Sequence, residues 1–482
     1  MLSPMPSSGP WHHWRLLSDD EVQQLREQAL GFLKRVGYRI LHRPILEALE
    51  AKGCQVDYPS WRVRLTDDAA RRLEQCARQN AKPATNEPLL RRPLPASVAV
   101  GHNYTCYYDL ADGRRPATLE DIRRLVKAWH MTPQITHTLP CVTAQDVPMQ
   151  VEPIVVMAEV MKLTHKLLGS PEMMLGSQLP YLQELQGILR GKPSRFRSSG
   201  CSVNRFSVDD RAADCLWSVH KANGINYWWV NSCPVAGVTA PVTLAGSLAV
   251  GIAETIGGWL AGWACGDGVA FGAIPLSGVA DMRNGSVLFS TPETILVDSA
   301  MHQFFREVYG IGIGLCIGYT DAKVPGMQAL NDKLLKALGY GWFTDHVAGQ
   351  SGTLAAGNAY SPTQQVLDLE INRQIAQLAK GIDVNEQTLA ADLVEQLASD
   401  PDGVFLDQEH TLRHWRDQLW MPRLLDRLGD YDAKPADNDA AVLARAEQTW
   451  RDALASYVQP DMDADKVRAI DEIVRRAKAD LL

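Results

Sequence analysis

A chain of 482 residues, 46% hydrophobic and 22% charged, has a globular composition and length enough for one large barrel or two to three smaller domains. Its formal net charge of −8 removes the basic footprint that non-specific nucleic-acid binding needs. Nine cysteines, odd in number, widely spaced and without a CxxC pair, argue against a zinc ribbon or a disulfide framework and suit a reducing compartment.

The stretch Met1 to Trp14 has no apolar run of the signal-peptide kind, so a cytoplasmic protein is expected. Residues 1–95 read as an N-terminal helical extension. Ser18-Asp19-Asp20-Glu21 is a capping box, followed by Val22, Leu25, Leu30 and Leu33 at helical spacing. Further helices are expected around Ile45–Lys52 and Asp67–Arg78, and the four prolines of Lys82–Pro95 mark a connector.

From Gly101 short apolar runs alternate with amphipathic helices. Thr118-Leu119-Glu120-Asp121 caps a helix reaching His130. Strands are expected at Tyr227–Asn231, Val269–Ile274, Ile311–Gly318 and Trp342–Ala348, with helices at Thr243–Ala264, Thr291–Val308, Gln328–Leu338 and Ser361–Ala379 between and after them. The order implies an α/β fold with a parallel sheet, closed or open. No GxGxxG or Walker motif opens a helix, which disfavours a nucleotide fold. The most apolar stretch, Gly246–Ala264, contains Glu254 and five glycines and reads as a buried helix rather than a membrane span. Residues 435–482 read as a charged, helical surface tail with a possible role in an oligomer contact.

Candidate chemistry lies at the strand ends. Tyr227-Trp228-Trp229 runs into the Pro/Gly-rich segment Cys233–Pro241, the pattern of a barrel loop that builds a site. Side chains alternate along a strand, so either Trp228 or the pair Tyr227 and Trp229 faces the barrel axis. An aromatic face there attracts a quaternary ammonium by about 2 kcal/mol when desolvated. Core packing is the competing reading for each ring. Phe343-Thr344-Asp345-His346 closes another expected strand, where His346 would orient a substrate or move a proton, or simply bond a loop carbonyl. Asp321 in Thr320-Asp321-Ala322-Lys323 is a second polar candidate, with a surface pair to Lys323 as its plain alternative. His410 and His414 have metal-like spacing but no third ligand nearby, and no metal is expected.

Several segments, in order, resemble the trimethylamine methyltransferase family, including its members without pyrrolysine such as the glycine betaine methyltransferases. They are Gly113–Asp121, Gly237-Val238-Thr239-Ala240-Pro241-Val242-Thr243-Leu244-Ala245-Gly246, Asp281-Met282-Arg283-Asn284-Gly285, Ser290-Thr291-Pro292-Glu293, Thr320–Lys323, Leu367–Ile371, Gly403–Leu406, His410-Thr411 and Asp426-Arg427.

The resemblance implies a closed (β/α)8 TIM barrel over residues 96–434. It implies methyl transfer from a methylated amine to the Co(I) corrinoid of a partner protein, with no nucleophile supplied by the chain itself. The corrinoid belongs to the partner, since Asp-x-His occurs nowhere in this sequence. Two other functions remain open: direct transfer to tetrahydrofolate, and non-catalytic binding of betaine-like molecules. Asp321 and His346 are then the expected catalytic residues, and Tyr227, Trp228, Trp229, Thr239, Met327 and Phe343 the expected substrate contacts. The family's pyrrolysine position falls near Met327, an ordinary residue here. That favours a quaternary donor, which leaves as a neutral amine without activation.

Overall fold

A computed structural model describes residues 14–79, 81, 99–100, 104–138, 140–166, 172–190, 198–202, 206–344, 351–425 and 435–482. Its middle alternates strands or extended segments with long helices, a mixed α/β architecture. The best-formed part is a parallel sheet in which Tyr227–Ser232 lies between Ser198–Cys201 and Ala270–Pro275. Register sets Trp229 opposite both Ser199 and Gly272.

Other parallel pairs continue the pattern in pieces. Ala99–Val100 pairs with His137–Thr138, and Ala359–Tyr360 with Cys106–Tyr107. The described residues carry five separate small sheets rather than one continuous ring. The expected strand Ile311–Gly318 forms no ladder. It lies beside Ala270–Pro275 with Gly314 N–H donating to Ala273 O at 2.9 Å, and Gly312 and Gly314 supply no side chains to pack.

Helix Leu244–Ala264 is long and apolar enough to cross a membrane, yet it is buried continuously from Gly251 to Ala264. Small residues make this possible. A Cβ at Gly258 would meet Val230 at 2.6 Å and one at Gly262 would meet Trp228 at 2.7 Å, so the helix lies directly on the Tyr227–Ser232 strand. On its other side sits the N-terminal extension. Ser18 and Glu21 form the expected capping box, and Ala29, Leu33 and Tyr38 join the same core. Arg26 pairs with Glu74, which also accepts from the Tyr309 hydroxyl, tying the extension to helix Pro292–Tyr309.

Two further expectations change. The expected strand Trp342–Ala348 does not begin at Trp342, because helix Met327–Phe343 runs through it. Ala329, Lys333, Lys336, Ala337 and Tyr340 are buried at helical spacing, so Tyr340 belongs to the helix face and carries Trp342 and Phe343 with it. Residues 345–350 lie outside the described residues. The C-terminal helices Pro435–Ala455 and Ala464–Leu481 are not a surface tail. Trp450, Ala446, Ile470 and Ala477 are buried, in one core with Trp129, Met157 and Leu182.

Candidate functional site

Alternation along Tyr227–Ser232 separates two faces. Trp228, Val230 and Ser232 are buried and point at helix Leu244–Ala264, where Trp228 Nε1–H donates to Gly258 O at 2.8 Å and Thr255 Oγ1–H donates to Ser232 Oγ at 3.0 Å. Tyr227, Trp229 and Asn231 are only half-buried and share the opposite face. Trp228 is therefore a core residue, and its expected substrate contact is withdrawn: its ring is fully enclosed and its one polar atom is already bonded.

The opposite face is an open aromatic surface. The rings of Tyr227 and Trp229 lie 5.8 Å apart, tilted by 48°. Glycines on the neighbouring segments make room for them. A Cβ at Gly272 would meet Tyr227 Oη at 2.0 Å and Trp229 at 2.7 Å, and one at Gly314 would meet Trp229 at 3.2 Å. Trp229 Nε1–H donates to Asn231 Oδ1 at 2.9 Å, which fixes the indole plane and leaves its π face as the part not committed to a bond. Among the described residues Asn231 Nδ2 has only the Cys201 sulfur at 3.8 Å, a weak acceptor, so donor capacity remains on this face. Ser199 Oγ–H donates to Glu172 Oε1 at 3.4 Å, bringing a carboxylate toward the same face.

The surrounding thiols offer no nucleophile at neutral pH. Burial pushes both Cys233 and Cys316 up to about 12, so each stays protonated. Burial likewise raises the Tyr319 hydroxyl, which keeps its proton. The face can bind and orient a cation; it holds no Ser–His or Cys–His arrangement among the described residues.

Asp321 is bonded to the backbone of a neighbouring loop. It is 9% exposed and accepts from the backbone N–H groups of Phe289 and Ser290 at 2.8–3.0 Å, clamping the excursion 276–291 onto the end of segment 311–319. Asp332 repeats the device by accepting from Thr320 Oγ1–H and Asp321 N–H. Thr239 is also a turn-former. Its hydroxyl accepts from Val235 N–H at 2.8 Å and donates to Cys233 O at 3.3 Å, while Gly237 takes φ +87°. Phe343 ends its helix edge-on to Trp14, 6.3 Å away. Met327 begins that helix and is 75% exposed, so it lines no enclosed pocket. His346 and Asp345 lie outside the described residues.

Of the expected site residues, the structure thus joins Tyr227 and Trp229 on one face and adds Asn231, which period-two reading of the strand would have reached. Glu172 and Cys201 come from distant stretches that carry no motif. Val238, Val242, Met282, Val324 and Met327 are exposed apolar residues on, or at the end of, the segments that follow the strands or extended segments. Gly237 brings two of these together, with both Met282 Sδ and Val242 Cγ2 3.9 Å from the position of its Cβ. Deeper in, charged groups are paired away from solvent. Lys333 Nζ meets Asp368 at 2.5 Å, and Asp298 accepts from Ser277 N–H and the Tyr340 hydroxyl.

Residues 7–481 match the model of the trimethylamine methyltransferase (MTTB) family. A glycine betaine methyltransferase of Desulfitobacterium hafniense (strain Y51) is 26% identical over 474 residues, covering 94% of this chain and 95% of its own length. A trimethylamine methyltransferase of Desulfitobacterium hafniense (strain DSM 10664 / DCB-2) is 22% identical and covers 85% of this chain and 83% of its own. A trimethylamine methyltransferase of Methanosarcina barkeri (strain Fusaro / DSM 804) is 27% identical over 250 residues, 52% of this chain and 49% of its own.

Proposed function

The chain belongs to the trimethylamine methyltransferase family, and on that premise we propose that it moves a methyl group from a quaternary, betaine-type ammonium to the Co(I) corrinoid of a partner protein. The observation that carries the reading is the half-buried Tyr227–Trp229 pair beside the donor capacity of Asn231. Two ring faces suit a cation without hydrogen-bond donors, and an amide N–H suits a carboxylate. A glycine betaine methyltransferase matches nearly end to end at 26% identity, and a trimethylamine methyltransferase of Desulfitobacterium hafniense matches 85% of the chain at 22%.

The chain's part is then binding and placement. The rings hold the ammonium and exclude water, and Asn231 orients the carboxylate so that one N-methyl faces the strand-end rim. The corrinoid, carried by the partner, supplies the nucleophile that takes the methyl. A neutral tertiary amine leaves, so no acid in the chain has to protonate it. The protonated state of Cys233 and Cys316 agrees with a reaction in which the chain itself is not methylated. The exposed apolar rim of Val238, Val242, Met282 and Met327 is the surface on which the partner would seat.

A closed (β/α)8 barrel is the scaffold of this proposal. It is supported by eight successive helices, Leu119–Met131, Glu152–Leu163, Leu179–Arg190, Asp210–Asn223, Leu244–Ala264, Pro292–Tyr309, Met327–Phe343 and Pro362–Ala379, all but Leu179–Arg190 preceded by a strand or extended segment among the described residues. The test supplies a Co(I) corrinoid protein with glycine betaine, proline betaine, carnitine, choline or trimethylamine. A quaternary donor should methylate cobalt fastest. Faster transfer from trimethylamine than from every quaternary donor refutes the substrate class.

A further inference from the structure

Helix Pro362–Ala379 ends at Lys380, and the chain returns to its side at Met421. Between them, residues 381–421 form the short helices Glu386–Leu389, Ala391–Ala398 and Glu409–Gln418, and in this whole excursion only Leu397 is buried. Large apolar side chains face outward along it: Leu406 is 84% exposed, Ile382 80%, Leu412 65%, Leu389 60% and Phe405 51%. So dense a set of exposed apolar groups marks an interface. The root is firmly held, with Arg373 donating to Met421 O and Gln377 to Gln418 O, both at 2.8 Å, and Lys380 to Asp417 O at 3.1 Å. This is an arm with a fixed base, and its apolar surface is what lacks cover.

Charge identifies the cover. Residues 381–421 contain nine Asp and Glu against Arg413 and Arg416, and so carry −7 of the chain's −8. Two such arms repel each other and do not pair. Residues 26–79 contain eleven Lys and Arg against seven Asp and Glu. In the antiparallel sheet of Tyr38–Arg39, Arg62–Arg64 and Gln55–Asp57, Arg39 stands directly across the ladder from Arg62, and Arg64 shares the face of Arg62. Like charges directly opposed destabilise a sheet unless an acidic group covers them. Asp57 faces Arg62 on the other side, but Arg39 and Arg64 have no carboxylate partner among the described residues.

The arm and this sheet are separate parts of the surface. Helix Pro362–Ala379 runs away from the strand-end loops for about 27 Å at ~1.5 Å per residue before the arm begins. Arg39 N–H instead donates to Phe206 O, beside the strand end at Ser202. Each copy therefore presents both halves of a contact on separate surfaces, as a two-fold pair requires. A partner seated on the strand-end rim would leave the arm uncovered.

We propose that residues 381–421 are a docking arm for a second copy of this chain, with the apolar side chains packed on that copy and the carboxylates set against its Arg39, Arg62 and Arg64. Sedimentation velocity of the full chain at micromolar concentration tests it. The wild type should run at twice the 53.3 kDa chain mass. Phe405→Asp with Leu406→Asp should halve that mass while circular dichroism and the melting temperature of the body stay unchanged, since both side chains are exposed. Asp392→Lys with Glu395→Lys, and separately Arg39→Glu with Arg64→Glu, should each yield single chains, and mixing the two variants should restore the pair. A wild type that stays monomeric, arm variants that keep the wild-type mass, or a mixture that fails to pair would each overturn the proposal. So would a monomer whose arm variants lose affinity for a corrinoid protein, since the arm would then belong to that partner.

Discussion

Replacing Trp229 by Ala should weaken binding of a quaternary ammonium about 30-fold, with little effect on stability. The indole N–H is committed to Asn231 Oδ1, and the ring is half-buried above Gly314 and Gly272, so its π face is what it offers a ligand. A desolvated cation over tryptophan is worth about 2 kcal/mol, and each 1.4 kcal/mol is a factor of ten. The loss should appear in KM for the quaternary donor, measured as cobalt methylation under saturating corrinoid protein, and Trp229→Phe should recover part of it. A neutral isostere carrying carbon in place of the ammonium nitrogen should bind Trp229→Ala almost as well as wild type. Trp228→Ala is the control. Its ring is fully enclosed and bonded to Gly258 O, so truncation should cost about 3–5 kcal/mol of stability and leave KM unchanged. A Trp229→Ala enzyme with wild-type KM, or one that loses the neutral analogue equally, would refute the cation-binding role.

Gly272→Val would place a side chain where Tyr227 Oη lies 2.0 Å from the Cβ position, so it should displace both rings and abolish donor binding, read by calorimetry. Lys333→Ala would strip Asp368 of its buried ammonium and should cost about 3–5 kcal/mol in denaturant unfolding, although Gly352 N–H and Gln364 still donate to that carboxylate. Glu254 gives a pH signature. Burial pushes its carboxyl up to about 7 from 4.5, so the folded chain keeps a proton that the unfolded chain releases. Its contribution is fully present below pH 4.5 and is lost as pH rises through about 7, at about 1.4 kcal/mol per pH unit. Glu254→Gln should therefore flatten the stability profile over that window, measured by urea unfolding at a series of pH values, and an unchanged profile would contradict the assignment.

How legible the fold was in the sequence depended on local signals. The Ser18 and Thr118 capping boxes and the prolines at Pro292 and Pro362 placed helix starts correctly, because caps are set by neighbouring residues. The end of helix Met327–Phe343 is not legible because Tyr340-Gly341-Trp342-Phe343 has strand-like composition, and only the burial of Lys333 and Lys336 on the same face shows the helix continuing. Buried lysines carry no apolar signal. The packing of the C-terminal helices is hidden for a related reason: their few buried anchors, Trp450 and Ile470 among them, are spaced among many charges.

At the site, alternation limited the choice to Trp228 or its two neighbours, and glycine-permitted helix packing then fixed which. Asp321 looked catalytic because it is acidic and follows a strand-like segment, yet its partners are the distant backbone groups of Phe289 and Ser290. Long-range pairing of that kind leaves no trace in spacing.

The central claim is methyl transfer from a quaternary ammonium to a corrinoid carrier, and the most direct measurement follows both ends of that transfer at once. The purified chain is mixed with glycine betaine and a corrinoid protein held in the Co(I) state. The cobalt spectrum and the demethylated amine are recorded together. Methylcobalt should form in step with dimethylglycine, one for one, and neither should appear when the corrinoid protein is left out. Demethylation with tetrahydrofolate and no corrinoid protein, or tight binding of every quaternary donor with no methylcobalt formed, would contradict it.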